Sequence, residues 1–170
     1  MSAWAKLAAE RIRDANDRSV NRRGWWLFRR NEIIAHGERV WHSIVRECQR
    51  EADCFNAALE VPHHPDAIQP FDTGIPFTVV IRQLNFPETR VQCSIDREAR
   101  EIVVTWFRKA SHASAETHDS EILELDVSEE TGEVFVSLAG TPLTTNQVAE
   151  VILTPLMNKR QWPSVSCLAS

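Results

Sequence analysis

The clearest hydrophobic pattern in the chain is helical and runs from residue 33 to residue 59. Apolar residues recur there at helical spacing for about seven turns, at Ile33, Ile34, Gly37, Val40, Trp41, Ile44, Val45, Cys48, Ala52, Phe55, Ala58 and Leu59. Asn31 is placed to cap the N-terminus of this helix, and Pro62 disfavours its continuation. The pattern predicts a long amphipathic helix that needs a broad apolar surface to lie on.

A weaker helical pattern precedes it, over residues 3–23. Its apolar positions are Trp4, Leu7, Ala8, Ile12 and Ala15. Gly24 suits the position just beyond the end of a helix, so residues 24–30 (GWWLFRR) are expected to connect two helices. We interpret Trp25 and Trp26 as packing that junction, because leaving so apolar a connector in water is costly. The alternative is an external ligand, since Trp and Arg together stack on nucleobases or lie at a membrane interface.

The second half of the chain alternates apolar and polar residues at period two. This predicts five strands, at residues 76–83, 89–96, 101–108, 121–127 and 133–138. Gly132 suits the left-handed position of a bulged hairpin, and the short connections predict an antiparallel meander. Thr144 and Gln147 then match the capping box of a last helix, which Pro155 should end or kink.

Together these elements predict an α+β fold with the order α-α-β-β-β-β-β-α. The long amphipathic helix and its flanking helices are expected to pack on a five-stranded antiparallel meander sheet. We expect one domain over residues 1–170. Its parts are a basic N-terminal helix and aromatic connector (1–30), a core (31–158) and a partly ordered tail (159–170).

The two faces of the predicted sheet differ in polarity. One face is apolar on every strand and is expected to form the core. The other is mixed, and its candidate binding residues are Val80, Arg82, Val103, Phe107, Ile122 and Phe135. Because a fully solvated face is normally more polar, we take it as the contact surface for a protein partner or a second copy. Scattered surface hydrophobes are the equally open alternative.

Charge is distributed unevenly around the net value of −5. Residues 1–30 carry eight Lys/Arg against three Asp/Glu, and residues 31–170 carry eleven against twenty-one. A basic segment on an acidic body can face nucleic acid, an anionic membrane or an acidic partner. We favour pairing with the body's own carboxylates, because a helix with mixed charges on its outer face is the commoner object.

The cysteines Cys48, Cys54, Cys93 and Cys167 form no CxxC pair and no metal-ligand spacing. We interpret them as reduced thiols that serve as small apolar residues. Neither a signal peptide nor a membrane-spanning run is legible, so a cytoplasmic location is expected.

Glutamate and histidine stand four residues apart twice on the predicted long helix, at Glu32/His36 and Glu38/His42. Such pairs can bond to each other or share a metal, but the spacing does not match the H-E-x-x-H zinc signature. Ordinary surface pairs are the preferred interpretation.

Residues 109–120 (KASHASAETHDS) contain the side chains of a nucleophile–base–acid set. Without a nucleophile elbow, a mobile loop is expected there instead.

His63, His64 and Asp66 directly follow the long helix and are weak candidates for a metal site. A polar loop with a proline turn explains them without a metal and is the preferred interpretation, because no second cluster of ligand spacing accompanies them. The chain has no glycine-rich phosphate loop and no legible nucleic-acid motif. We therefore expect no cofactor, and nucleic acid and membrane are disfavoured as partners.

The resulting hypothesis is a small non-catalytic binding or adaptor protein of the cytoplasm, acting through protein–protein contacts of the sheet. The first alternative is a small enzyme or ligand carrier with a pocket between the long helix and the sheet. The lining of that pocket would be Trp41, Trp106, Phe107 and His36 or Arg82. The second alternative is nucleic-acid or anionic-membrane binding through residues 1–30, with an affinity that falls steeply with salt.

Overall fold

The computed structural model describes residues 3–60 and 63–158. Its elements are α1 (Ala3–Ala58), β1 (Thr78–Gln83), β2 (Glu88–Asp96), β3 (Glu101–Lys109), β4 (Glu116–Val127), β5 (Val134–Leu138), β6 (Thr141–Leu143) and α2 (Thr145–Met157). The predicted α+β class is confirmed, with a long helix, a short C-terminal helix and a six-stranded antiparallel sheet. The tail expected at residues 159–170 lies outside the described residues.

α1 is one unbroken helix of 56 residues, so the prediction of two helices joined by an aromatic connector is wrong. Gly24 lies inside the helix, and nothing stands within 4 Å of the position that its Cβ would take. One glycine costs a helix only about 1 kcal/mol, and no proline falls within residues 3–58. The stop signal was therefore too weak, and α1 continues through Trp25 and Trp26 to a length of about 84 Å.

The core lies between one sheet face and the two helices. The sheet order is β1-β2-β3-β4-β5-β6, with each strand antiparallel to the next. α1 contacts β4 and β5, while α2 contacts β2, β6 and α1. The buried residues of α1 are Ile33, Trp41, Ile44, Cys48 and Ala52. Their sheet partners include Val79, Ile81, Val91, Cys93, Ile102, Val104, Trp106, Leu123, Leu125 and Val136. The predicted helical stripe and the predicted apolar sheet face are thus the two sides of one core.

The sheet has six strands rather than five. The additional strand β6 pairs with β5 through three residues, in the segment expected to lead into the last helix. A strand this short, with Pro142 at its centre, has too few alternating positions to be recognised in the sequence. The capping box of α2 is confirmed, since Thr144 and Gln147 each accept from the backbone of the other. Pro155 is tolerated inside α2, which ends at Met157.

β4 begins at Glu116, well before the predicted start at residue 121. Glu116 pairs with Lys109, so residues 116–120 form a strand where a mobile loop was expected. These residues are polar on both faces and carry no period-two signal. Gly132 has a positive φ of 72° in the turn between β4 and β5, as predicted.

Candidate interaction surface

Three of the predicted contact residues lie together on the outer face, which is the sheet face turned away from α1 and α2. Val103 on β3 stands directly across from Ile122 on β4, whose side chain is 48% exposed. Phe107 lies further along β3, and the Arg90 guanidinium carbon sits 4.0 Å from its ring centroid. The His118 ring is 6.2 Å from the same ring. Val103, Phe107 and Ile122 are called the outer patch below.

The other predicted contact residues lie away from the outer patch. Val80 is half-buried on β1, and its N–H donates to the Asp72 carbonyl at 2.9 Å. Arg82 is exposed and stands across from Arg90, so two like charges are neighbours there. Phe135 lines shallow grooves beside α1. The predicted set is therefore not one continuous surface, because Arg90 and Gln92 of β2 lie between its members on β1 and those on β3.

One long edge of β4 is open. β4 has 12 residues, but β5 pairs only with its last four, Glu124–Val127. Within residues 3–60 and 63–158, no strand or bridge pairs with that side of residues 116–122. Unpaired strand edges of this kind are templates for the addition of another strand. This edge is not predictable from the sequence, because it depends on β5 being much shorter than β4.

The ladder between β3 and β4 fixes which backbone groups of this edge are free. The Leu125 N–H donates to the Arg100 carbonyl at 2.8 Å, so odd-numbered residues of β4 bond to β3. Even-numbered residues therefore direct their N–H and C=O groups outward. These are Glu116, His118, Ser120 and Ile122. The Ser120 N–H bonds to the Asp119 carboxylate at 2.9 Å. Residues 116–122 are called the open edge below. Ile122 belongs to both the open edge and the outer patch, so the two surfaces meet at this residue.

The open edge belongs to an acidic part of the chain. Residues 110–158 contain nine Asp/Glu and neither Lys nor Arg. Three of these carboxylates, on Glu116, Asp119 and Glu121, lie along the open edge. Glu116 accepts from Arg90 at 3.1 Å. Like charges along an edge oppose its pairing with a second copy of itself, and the net charge favours a cationic partner.

Two basic residues from the N-terminal 30 join α1 to the end of the sheet through ion pairs. Arg29 pairs with Asp126, and Arg30 pairs with Glu98 at 2.5 Å. Carboxylates of the body therefore pair with two of the basic residues among residues 1–30, which is the kind of contact that the sequence favoured for the basic segment. The Arg29 Nε atom is buried without a hydrogen-bond partner, so this contact leaves one donor unsatisfied.

The aromatic residues of α1 are divided between the body and solvent. Trp25 is half-buried, packs against the core and stacks on Phe28 with the ring centroids 5.2 Å apart. Trp26 is 49% exposed, Leu27 43% and Phe28 40%. The packing interpretation is therefore correct for Trp25 and wrong for Trp26, which points about 100° further around the helix and faces solvent.

The weak metal candidates are engaged in local hydrogen bonds. The Asp66 N–H donates to His64 Nδ1 at 3.1 Å, and an Asp66 carboxylate oxygen accepts from Asn85 at 2.8 Å. His63 is exposed. In the described part of the chain, no three His, Cys, Asp or Glu side chains are grouped so that they could hold a metal ion.

On α1 the two predicted pairs are present at the helix surface. His36 Nε2 lies 3.4 Å from Glu32, and His42 Nε2 lies 3.5 Å from Glu38. Both histidine side chains are about half exposed or more, at 47% and 62%. They are ordinary surface contacts between neighbouring turns.

The residues suggested for an internal pocket do not line a common cavity. Trp41 and Trp106 are buried in the core, and the Trp106 indole N–H donates to the Ile152 carbonyl at 3.1 Å. Phe107 and Arg82 lie on the opposite face of the sheet. The tryptophans are therefore part of the packing rather than the wall of a binding site.

The described cysteines are free thiols. Burial raises the pKa of Cys48 to about 12 and raises the pKa of Cys93 well above its ordinary value. Cys54 is exposed, and Cys167 lies outside the described residues. The two core thiols are held in the protonated, unreactive form, so they act as small apolar residues.

Comparison with protein-family models, with curated proteins and with solved structures finds no match for this chain. Between residues 3 and 60 and between 63 and 158, neither helix has a stretch apolar enough to cross a membrane.

Proposed function

We propose that this chain is a non-catalytic binding protein that takes up an extended protein segment as an added strand on the open edge of β4. The observation that carries the proposal is the edge itself, where residues 116–122 have no strand beside them in the described part of the chain. An added strand bonds to the outward backbone groups of His118 and Ile122, and main-chain hydrogen bonds then supply most of the affinity.

Side chains around the edge define the kind of segment that fits. Alternate residues of an added strand point to opposite faces of the sheet. Those on the outer face meet Glu116, His118, Ser120 and Ile122, of which Ile122 and the adjoining outer patch favour an apolar residue. Those on the other face meet Asp119 and Glu121, which favours Lys or Arg. The proposed ligand is therefore an extended segment in which apolar and basic residues alternate.

The arrangement of polar side chains supports binding rather than catalysis. His118 and Asp119 are neighbours on one strand, so their side chains point to opposite faces of the sheet and cannot act on one substrate. His112 packs edge-on against Phe86, with the ring centroids 4.3 Å apart. The histidine, aspartate and serine residues of 109–120 are thus dispersed by the β3–β4 hairpin.

The test is an NMR titration of the ¹⁵N-labelled chain with the peptide Ac-KVKVKVK-NH₂. Saturable shifts are expected in the amides of His118 and Ile122, because these N–H groups gain partners. The matched control peptide Ac-EVEVEVE-NH₂ should leave them unchanged, because its charge repels the edge. Shifts confined to residues far from β4, or equal shifts with both peptides, would contradict the proposal.

A pair of variants separates the backbone from the side chain at the edge. His118→Pro removes an outward N–H while leaving the ladder to β3 intact, and proline is tolerated on strand edges. It should weaken peptide binding about tenfold, the effect of one lost hydrogen bond. His118→Val keeps the N–H and should bind like the parent chain. Equal binding by both variants would show that the peptide does not add as a strand.

A further inference from the structure

The first part of α1 projects from the body as a bare helix. Every described side chain from Arg11 to Gly24 is exposed. Residues 3–24, called the arm below, extend about 33 Å at 1.5 Å per residue. A single helix of about 20 residues is only marginally stable in water, because most helical stability in proteins comes from packing an apolar face. The arm therefore has a face that lacks its packing partner.

The exposed apolar side chains of α1 identify that face. Ile12 is 63% exposed, Val20 69% and Leu27 43%. At about 100° per residue, these three positions fall within an arc of about 80° on the helix. Trp26, which is 49% exposed, lies on the Ile12 side of the same arc. Ile12 and Leu27 stand at the two ends of this stripe, and Val20 lies between them together with the polar residues Asn16 and Arg23.

We propose that the arm pairs antiparallel with the arm of a second copy of this chain, about a two-fold axis between residues 19 and 20. In this register Ile12 lies opposite Leu27 of the second copy, and Ser19 lies opposite Val20. A two-fold interface must be complementary to itself, and this register brings apolar ends onto apolar ends. The pairing uses a different surface from the open edge of β4 and does not depend on the function proposed for it.

Charges in the arm fit the same register. The basic tip, with Arg11 and Arg13, reaches the base of the other arm near Phe28. The ring of Phe28 lies 3.9 Å from the Cβ position of Gly132, so the turn at residues 128–133 stands beside that base.

That turn carries the carboxylates that would meet the basic tip. Glu129, Glu130 and Glu133 are all exposed. When two arms run antiparallel, the basic tip of each lies at the acidic base of the other, and these opposite charges attract. In a parallel pair, the basic tips would lie against each other. Asp14 and Asp17 also interrupt the basic surface of the arm, which disfavours a polyanion as its occupant. The second copy is thus the occupant that the charges favour.

Light-scattering mass after size exclusion tests the proposal on the full chain. The parent chain is expected at about twice 19.4 kDa. Ile12→Glu should halve that mass, because it places a charge against Leu27 of the second copy. Ile75→Glu is the matched control, since Ile12 and Ile75 are both 63% exposed. A monomeric parent chain, or a dimer that survives Ile12→Glu, would overturn the proposal.

Disulfide crosslinking tests the direction of the two arms. In a Cys54→Ser, Cys167→Ser background, Ser19→Cys should crosslink to itself, because it lies next to the two-fold axis. Ile12→Cys should not crosslink to itself but should crosslink to Leu27→Cys when the two variants are mixed. Efficient self-crosslinking of Ile12→Cys would show a parallel pair and overturn the register.

Discussion

Residues 11–24 and residues 41–52 belong to the same helix, but only the second stretch is built into the body. Trp41, Ile44, Cys48 and Ala52 are buried against the sheet and α2, at 4% exposure or less. Every described side chain of the first stretch is exposed. The two stretches share backbone conformation and differ in almost everything that stabilises a helix in a protein.

This contrast shows that helical continuity and helical stability have separate causes. The helix continues because no proline interrupts it and its residues are compatible with helical geometry. Its stability comes from the packed stretch, where burial of each large apolar side chain contributes about 2 kcal/mol. A change in the packed stretch should therefore affect the whole protein, whereas a change in the arm should act locally.

The largest expected difference concerns the two described thiols of α1. Because the pKa of Cys48 is raised from 9.0 to about 12, its thiolate at pH 8 is about a thousandfold less populated than that of an ordinary cysteine. In a Cys167→Ser variant, Ellman's reagent should modify Cys54 quickly and Cys48 only after unfolding. Modification of Cys48 in the folded chain at the rate of Cys54 would show that the packed face is open to solvent.

The next difference compares one residue type in the two stretches. Ile44→Ala should lower the free energy of unfolding by about 2–5 kcal/mol, because Ile44 is 1% exposed and its truncation leaves a cavity. Ile12→Ala, at 63% exposure, should change it by less than about 0.5 kcal/mol. Urea unfolding, followed by the tryptophan fluorescence of the core at a concentration where the chain is monomeric, measures both. Equal losses would mean that the arm is packed in solution.

The smallest effect is expected at Gly24. Gly24→Ala should stabilise the arm helix by about 0.5–1 kcal/mol, since the added methyl group meets nothing within 4 Å and the unfolded chain loses freedom. Hydrogen exchange of the amides near residue 24 should slow by up to about fivefold, with global stability unchanged. Gly132→Ala is the opposing control, because its φ of 72° makes any side chain there destabilising. Faster exchange in Gly24→Ala would indicate that the helix is broken at this position.

Much of the fold could be predicted because its elements bury a regular pattern. The stripe from Ile33 to Ala52 and the alternation in β1 to β3 were legible for that reason. The helix junction at residues 24–30 was predicted wrongly. One glycine destabilises a helix by only about 1 kcal/mol, so a glycine followed by two tryptophans is weak evidence that a helix ends there. Segments without a buried face, such as Glu116–Ser120, carry no pattern from which a strand can be recognised.

The candidate surface was only partly predictable. Val103, Phe107 and Ile122 could be assigned to one face, because side-chain alternation follows directly from the sequence. The open edge of β4 could not, because it results from the difference in length between β4 and β5. The exposure of Trp26 could not be predicted either, because it depends on which side of α1 lies against the body.

The unbroken course of α1 makes the arm a lever. Its fulcrum is the end of the sheet, where Arg29 and Arg30 pair with Asp126 and Glu98. Because the tip at residue 3 lies about 39 Å beyond Arg29, a tilt of about 10° at this pivot moves the tip by about 7 Å. A small adjustment of the ion pairs is thereby amplified into a displacement wider than the rise of one helical turn.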